Sequence, residues 1–197
     1  MNWDSYFYEI CKTVSKNSKC LSRQIGSVLS RDKSIISTGY NGPPIGVPPC
    51  SIRHRYDDNL WNLLNSSHQG LTYIKDKLSK CFISKEPSDQ YKRETIILDQ
   101  CPRRILGFKS GEGIEICVAG HSERNSLINA AKNGICTKGT TMYMTCPIPC
   151  TQCLIEIVNS GVEEIVVTSL DFYDKSSKYI LETSGLKYRL FNCIIEK

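Results

Sequence analysis

Apolar positions recur at helical spacing from the start of the chain, where Trp3, Phe7, Ile10 and Val14 predict an amphipathic helix over 2–17. The pattern then changes. Stretches 24–29 and 34–38 are rich in isoleucine, valine and serine and flank Arg31-Asp32-Lys33, which predicts a β-hairpin. Gly39-Tyr40-Asn41-Gly42-Pro43-Pro44 ends the second strand with turn chemistry. From about 48 to 118 the pattern weakens, with short apolar pieces such as 60–64 and 73–78 set among Ser, Asp, Lys and Gly. This stretch reads as an irregular insertion within a single catalytic domain spanning 1–197. Beyond it, helices at 122–133, 150–159 and 175–183 alternate with strands at 140–145, 164–168 and 187–191. That alternation predicts an α/β layered sheet with right-handed crossovers.

The 197 residues suit one domain, and 40% hydrophobic with 23% charged residues lies in the globular range. The net charge of +5 is scattered, which favours a small anionic ligand over a long polyanion. The opening Met-Asn-Trp-Asp lacks signal-peptide character and no apolar run reaches membrane-spanning length. A cytoplasmic protein is expected, in the host cytoplasm if the source is viral. There, cysteines at short spacing among the eleven present are metal ligands sooner than disulfides. Cys11, Cys136, Cys146 and Cys193 lie in apolar or strand-like surroundings and read as small buried hydrophobes.

Two motifs at predicted helix starts carry chemistry. His121-Ser122-Glu123 opens one helix and Pro149-Cys150-Thr151-Gln152-Cys153 the next. Their spacing puts the Cys150 and Cys153 sulfurs on one face of a turn, where they can hold one ion with His121 as third ligand. Three protein ligands leave the fourth tetrahedral position to a water whose pKa a zinc ion lowers toward neutrality. Glu123 is better used as a proton carrier, from that water to a ring nitrogen and then to a departing amine. An isolated Cys-x-x-Cys is often a structural zinc or redox pair, but a redox pair needs no Glu123 and a structural site wants a fourth ligand.

With these motifs the sequence resembles the zinc-dependent cytidine and deoxycytidylate (dCMP) deaminases, in particular the bacterial and phage type. The resemblance includes Ser18-Lys19-Cys20, Arg23-Gln24-Ile25-Gly26, Thr38-Gly39-Tyr40-Asn41-Gly42-Pro43-Pro44 and Cys101-Pro102-Arg103-Arg104 leading to Ser110-Gly111-Glu112-Gly113. It continues through His121-Ser122-Glu123-Arg124-Asn125, Thr141-Met142-Tyr143-Met144-Thr145 and the Pro149 to Cys153 motif. Ser122 stands where the family usually has alanine. Its side chain points away from the ion in the family pattern, so little functional consequence is expected. The resemblance implies a three-layer α/β/α cytidine deaminase-like fold, with a central mixed sheet of about five strands flanked by helices. It also implies conversion of dCMP to dUMP and ammonia, feeding thymidylate synthesis. Activation by dCTP, inhibition by dTTP with Mg2+, and a homohexamer follow on the same ground, with no membrane or nucleic-acid partner.

Several residues are candidates for binding substrate or effectors. Asn41 is either an amide for sugar and base or a turn asparagine tolerating the left-handed region. Arg23 offers a guanidinium fork to the 5′-phosphate, or is an ordinary exposed arginine. Tyr173, followed by Asp174 after the 164–168 strand, either approaches the nucleotide or packs. Gly42, in the 39–42 loop, is a candidate allosteric relay because glycine permits two backbone arrangements.

Members of this subgroup can carry a second, structural zinc, and the chain keeps cysteine at the two N-terminal positions involved, Cys20 and Cys50. Cys101 and Cys117 could complete a tetrahedral set, with His54 the main rival and Cys81 a weaker one. The alternative is a group of unligated thiols. A competing activity is deamination of cytosine or adenine in RNA or single-stranded DNA. That needs a basic, aromatic groove, and the insertion sets Arg53, Arg55, Lys75 and Lys77 close to acidic residues. A binding protein that kept the fold and lost the chemistry is a third reading, opposed by the intact His121, Glu123, Cys150 and Cys153.

Overall fold

A computed structural model describes residues 2–80 and 87–192, so Cys81 and Cys193 lie outside the described residues. In chain order these residues form α1 (Trp3–Ser15), β1 (Gly26–Arg31), β2 (Ser34–Tyr40), α2 (Asp58–Ser66), α3 (His68–Ser79), α4 (Asp89–Thr95) and α5 (Pro102–Ile105). There follow α6 (Ser122–Lys132), β3 (Thr140–Met144), α7 (Thr151–Asn159), β4 (Val162–Val167), α8 (Lys175–Thr183) and β5 (Lys187–Leu190). The chain divides into two compact units, one of Met1–Ser18, Gln24–Gly42 and Gly120–Lys197, the other of Lys19–Arg23 and Pro43–Ala119.

The first unit is built on a five-stranded sheet of order β2-β1-β3-β4-β5 among the described residues. β1 pairs antiparallel with β2 and β3, whereas β3, β4 and β5 run parallel. The hairpin closes through Asp32 and Lys33 at φ 50° and 64°. Two consecutive residues at positive φ make the tight turn whose twist matches the flanking strands. Side chains alternate across the sheet. Leu29, Met142, Met144, Ile165 and Val167 pack with Ala130 of α6, Leu154 and Ile157 of α7 and Leu181 of α8. Val28, Tyr143 and Val166 face the other way, onto Phe7 and Cys11 of α1 and onto Phe191. Each such large side chain contributes about 1.5–3 kcal/mol through burial. These two faces make the three α/β/α layers that the sequence predicts.

Polar ties fix α1 to the far edge. Asp4, only 5% exposed, accepts bonds from both terminal nitrogens of Arg189 at 2.6 and 3.1 Å and from the Asn192 N–H at 2.8 Å. Of the cysteines read as buried hydrophobes, Cys11 and Cys146 are buried but Cys136 is exposed. It follows the end of α6, and its neighbour Ile135 supplies the apolar contact there.

The second unit corrects the expectation of an irregular insertion, because α2, α3, α4 and α5 all lie within it. Its helices are short and polar-rich, and none carries a long periodic run. Leu60, Trp61 and Leu64 of α2, Ile74 of α3, Ile105 of α5 and the loop residues Ile96 and Leu98 form its own cluster, with Leu21 against it. Ser67 serves two helices at once. Its N–H donates to the Leu63 carbonyl as α2 ends, and its Oγ accepts from the Gly70 N–H at 3.0 Å as α3 begins. A Cβ on Gly70 would lie 2.2 Å from the Leu64 carbonyl oxygen, so glycine is what lets α3 start so close to α2.

Candidate active site

α6 and α7 both begin with a residue that ordinarily caps a helix poorly. His121 is the N-cap of α6 and Cys150 that of α7, each with extended backbone and neither with a side-chain cap bond. Serine or aspartate at such positions turns back onto the first amides. Here the imidazole and thiol are left to face each other. Cys150, expected as the first helical residue, thus sits one place earlier, and Cys153 follows inside the first turn.

The His121 Nδ1 lies 3.5 Å from the Cys150 Sγ and 3.3 Å from the Cys153 Sγ. All three atoms fall within 4.8 Å of one another, the group of that kind found among the described residues. A tetrahedral zinc with ordinary bond lengths holds sulfur and nitrogen about 3.5 Å apart, so the donors stand at the spacing the ion requires. The hydrogen bond between the two thiols lowers Cys150 to about 4, assisted by His121, and the same bond raises Cys153. His121 is raised, first by its bond to Cys150.

Glu123 is 4% exposed in the first turn of α6. Its Oε2 accepts from the Ser122 Oγ at 2.7 Å, and its Oε1 lies 4.0 Å from the Cys146 Sγ. Neither contact was evident from sequence, which expected little functional consequence from Ser122 and read Cys146 as a small buried hydrophobe. Behind them, the Ser27 Oγ donates to the Ser122 carbonyl at 2.7 Å. A Cβ on Gly39 would meet that same carbonyl oxygen and the Ser126 nitrogen, both at 2.3 Å, so β2 passes α6 at a distance only glycine permits.

Asp174, placed by the sequence in the loop after the 164–168 strand, makes a tie to α7 that the sequence did not reveal. Its Oδ1 accepts from the Thr151 Oγ1 at 2.5 Å and from the Ser177 N–H at 2.7 Å, while its Oδ2 accepts from the Thr151 N–H at 3.2 Å. One carboxylate therefore joins the first turns of α7 and α8. Burial alone raises Asp174, but the donors on Thr151 and Ser177 outweigh it and hold the group below the usual carboxylate range. The Asp-x-x-Ser spacing ahead of a helix was the available signal, since a capping box forms at that spacing.

The remaining candidates fall out separately. Asn41 is 7% exposed, and its Oδ1 accepts from the Ile25 N–H at 2.8 Å. Among the described residues positive φ outside glycine occurs at Asp32 and Lys33, so Asn41 is no left-handed turn residue. Gly42 and Gly120 form an antiparallel bridge, with N–H to carbonyl distances of 3.1 and 2.8 Å, one residue ahead of His121. Tyr173 is 44% exposed beside Asp174. Arg23 is exposed and belongs to the second unit.

Cys20, Cys50, Cys101 and Cys117 all lie in that second unit. Burial pushes the Cys50 thiol up to about 11, and the charges of Cys101, Cys117 and Cys20 push in the same direction, so the four stand within electrostatic reach. His54 is fully buried, its Nε2 donating to the Arg93 carbonyl at 3.1 Å, with Nδ1 buried and, among the described residues, without a hydrogen-bond partner. Burial lowers its pKa.

The model for the "Cytidine and deoxycytidylate deaminase zinc-binding region" matches residues 1–169. The deoxycytidylate deaminase of Enterobacteria phage T2 is 33% identical over 182 residues, which are 91% of this chain and 87% of that one. That of Schizosaccharomyces pombe is 25% identical over 96% of this chain, which spans only 44% of the yeast protein. A dCMP deaminase from the cyanophage S-TIM5, solved in complex with dCMP and dUMP, shares the fold at a TM-score of 0.55 and 17% identity, covering 95% of this chain and 94% of its own. A match across most of the chain, joined to a phage relative at one-third identity over nearly its whole length, shows that the chain belongs to the cytidine and deoxycytidylate deaminase family, among the phage-type deoxycytidylate deaminases.

Proposed function

We propose that this protein hydrolyses dCMP to dUMP and ammonia, breaking the C4–N bond and forming C4–O from water, and so supplies dUMP for thymidylate synthesis. The observation that carries the reading is the convergence of His121, Cys150 and Cys153 beside the buried Glu123, in a chain of this family. Zinc held by those three residues supplies a Lewis acid that brings the pKa of water toward neutrality. Glu123 takes a proton from the attacking water and gives it to the ring nitrogen, then takes the remaining proton from the new C4 hydroxyl and passes it to the departing amine as the C4 carbonyl forms. Asn41 and Tyr173 bind the nucleoside, and Arg23 grips the 5′-phosphate with its fork of donors.

Regulation follows the family resemblance, with dCTP activating, dTTP and Mg2+ inhibiting, and a homohexamer as the working form. The paired bonds between Gly42 and Gly120 support a relay, because they join the 39–42 loop to the residue before His121. A second, structural zinc is held by Cys20, Cys50, Cys101 and Cys117. Supporting this set is the placement of Cys50 within electrostatic reach of Cys101, Cys117 and Cys20, while the His54 Nε2 is taken by the Arg93 carbonyl. Metal analysis giving two zinc ions per chain agrees with it, and one per chain removes it.

Ammonia release from dCMP, cytidine and a cytosine-containing oligonucleotide tests the activity, each with and without dCTP, dTTP and Mg2+. The expected result is turnover of dCMP above both others, rising with dCTP and falling with dTTP. Preference for the oligonucleotide would overturn the substrate assignment.

A further inference from the structure

Glu123 is held from one side by Ser122, the residue that stands where the family usually has alanine and from which little consequence was expected. Ser122 is wholly buried at the first position of α6, where its hydroxyl must find a partner inside the protein. The partner is the Oε2 of the adjacent Glu123, at 2.7 Å. The serine is itself immobilised: Ser27 of β1 donates to its carbonyl, and β2 passes so close at Gly39 that a Cβ there would collide with the same oxygen. The Ser126 hydroxyl likewise donates to the Glu123 carbonyl at 2.8 Å. Thus the sheet fixes Ser122, and Ser122 fixes one oxygen of the carboxylate.

Resting on the deaminase reading above, we propose that Ser122 is a positioning residue that fixes the Glu123 carboxylate through Oε2 and leaves Oε1 as the oxygen that carries the proton. A glutamate has three side-chain torsions, and a carboxylate able to rotate spends only part of its time aimed at the reacting atoms. One short bond from a rigid hydroxyl, charge-assisted by the carboxylate, removes that freedom. The Cys146 thiol 4.0 Å from Oε1 is a weak donor that leaves that oxygen available. Ser122 touches neither substrate nor metal in this scheme. Its effect passes entirely through Glu123.

The test is a double-mutant cycle on the zinc-loaded protein, reading kcat and KM for dCMP in wild type, Ser122→Ala, Glu123→Gln and the double variant. Single turnover at excess enzyme keeps the slow Glu123 variants measurable. Ser122→Ala is expected to lower kcat about 10-fold with KM changed less than about twofold, and to have no further effect once Glu123 is glutamine. Zinc content and thermal unfolding are measured on all four proteins, so that a folding defect is recognised as such. Unchanged kcat in Ser122→Ala would overturn the proposal. So would an equal loss in both backgrounds, or a loss that tracks zinc content or unfolding. Wild-type protein that releases no ammonia from dCMP would instead remove the deaminase reading itself, and the proposal with it.

Discussion

The sheet unit and the helical unit are held together in different ways. In the first, thirteen buried side chains on one face of the sheet and six on the other form continuous apolar layers around parallel and antiparallel strands. In the second, a single cluster of seven serves α2, α3 and α5, while α4 buries no side chain, and the helices are further tied by caps and ion pairs. Arg53 pairs with Asp57 at 2.5 Å, Arg93 with Asp58 at 2.6 Å, and Lys77 with Asp99. Ion pairs of this kind contribute little where water reaches them. The lesson is that a unit with a small core needs some other source of stability, which a metal held by the cysteine group would supply.

Chelation is the severest trial of this contrast. With the proposed zinc held by the four cysteines, stripping it is expected to reduce hydrogen-exchange protection in α2 and α3 by about 1,000-fold while the central strands β3 and β4 lose less than about 10-fold. Equal loss in both units would abolish the distinction. Next in size is Leu64→Ala, which empties a fully buried site and should cost the helical unit about 3 kcal/mol, read as the local exchange free energy of α2 and α3. The same measurement on Ile165→Ala should spread its loss across the whole sheet. Gly39→Ala follows, at about 2 kcal/mol by chemical denaturation, because its Cβ would meet backbone atoms that cannot swing aside. Gly42→Ala is the matched control: the nearest atom to an added Cβ is a ring carbon of Tyr40 at 3.9 Å, and the change should stay within about 0.5 kcal/mol.

The smallest effect concerns pH. Burial by itself raises Asp4, yet its bonds from Arg189 and Asn192 hold it below the ordinary aspartate value. A depressed carboxylate contributes stability in full above the unfolded-state value of about 4 and loses it as pH falls through the lower folded value. Asp4→Asn should therefore flatten the acid limb of the stability profile below pH about 4, measured by urea unfolding at a series of pH values. An unaltered acid limb would mean that the tie between α1 and β5 contributes nothing to the sheet unit.

What could be foreseen from sequence follows the same division. The hairpin, the three βα alternations and the His121, Cys150 and Cys153 group were legible because strand periodicity, helix starts and ligand spacing are local signals. The helices of the second unit were not. Leu60, Trp61 and Leu64 are followed at once by Ser67, which both ends α2 and begins α3, and the apolar residues of α3 are set among Thr, Lys and Asp, so neither helix stands out from its polar flanks. At the site, the bond from Ser122 to Glu123 was hidden because neighbours in a helix do not normally face each other, and this contact arises within its first turn. The tie from Asp174 to Thr151 spans 23 positions, and only the helix-capping half of its role leaves a mark in the sequence.

The bridge between Gly42 and Gly120 has an architectural consequence. Apart from the short 19–23 stretch, the chain leaves the sheet unit after one of these glycines and re-enters it at the other, and the two are clasped by paired backbone bonds. The 43–119 segment thus departs and returns through a closed doorway. Closure entropy grows only slowly with the length enclosed, so the sheet and its ligand-bearing helix starts set little constraint on how long that segment is. A lineage could enlarge, trim or replace what hangs beyond the doorway while leaving the strands in register, which makes this the natural place for close relatives to diverge in length.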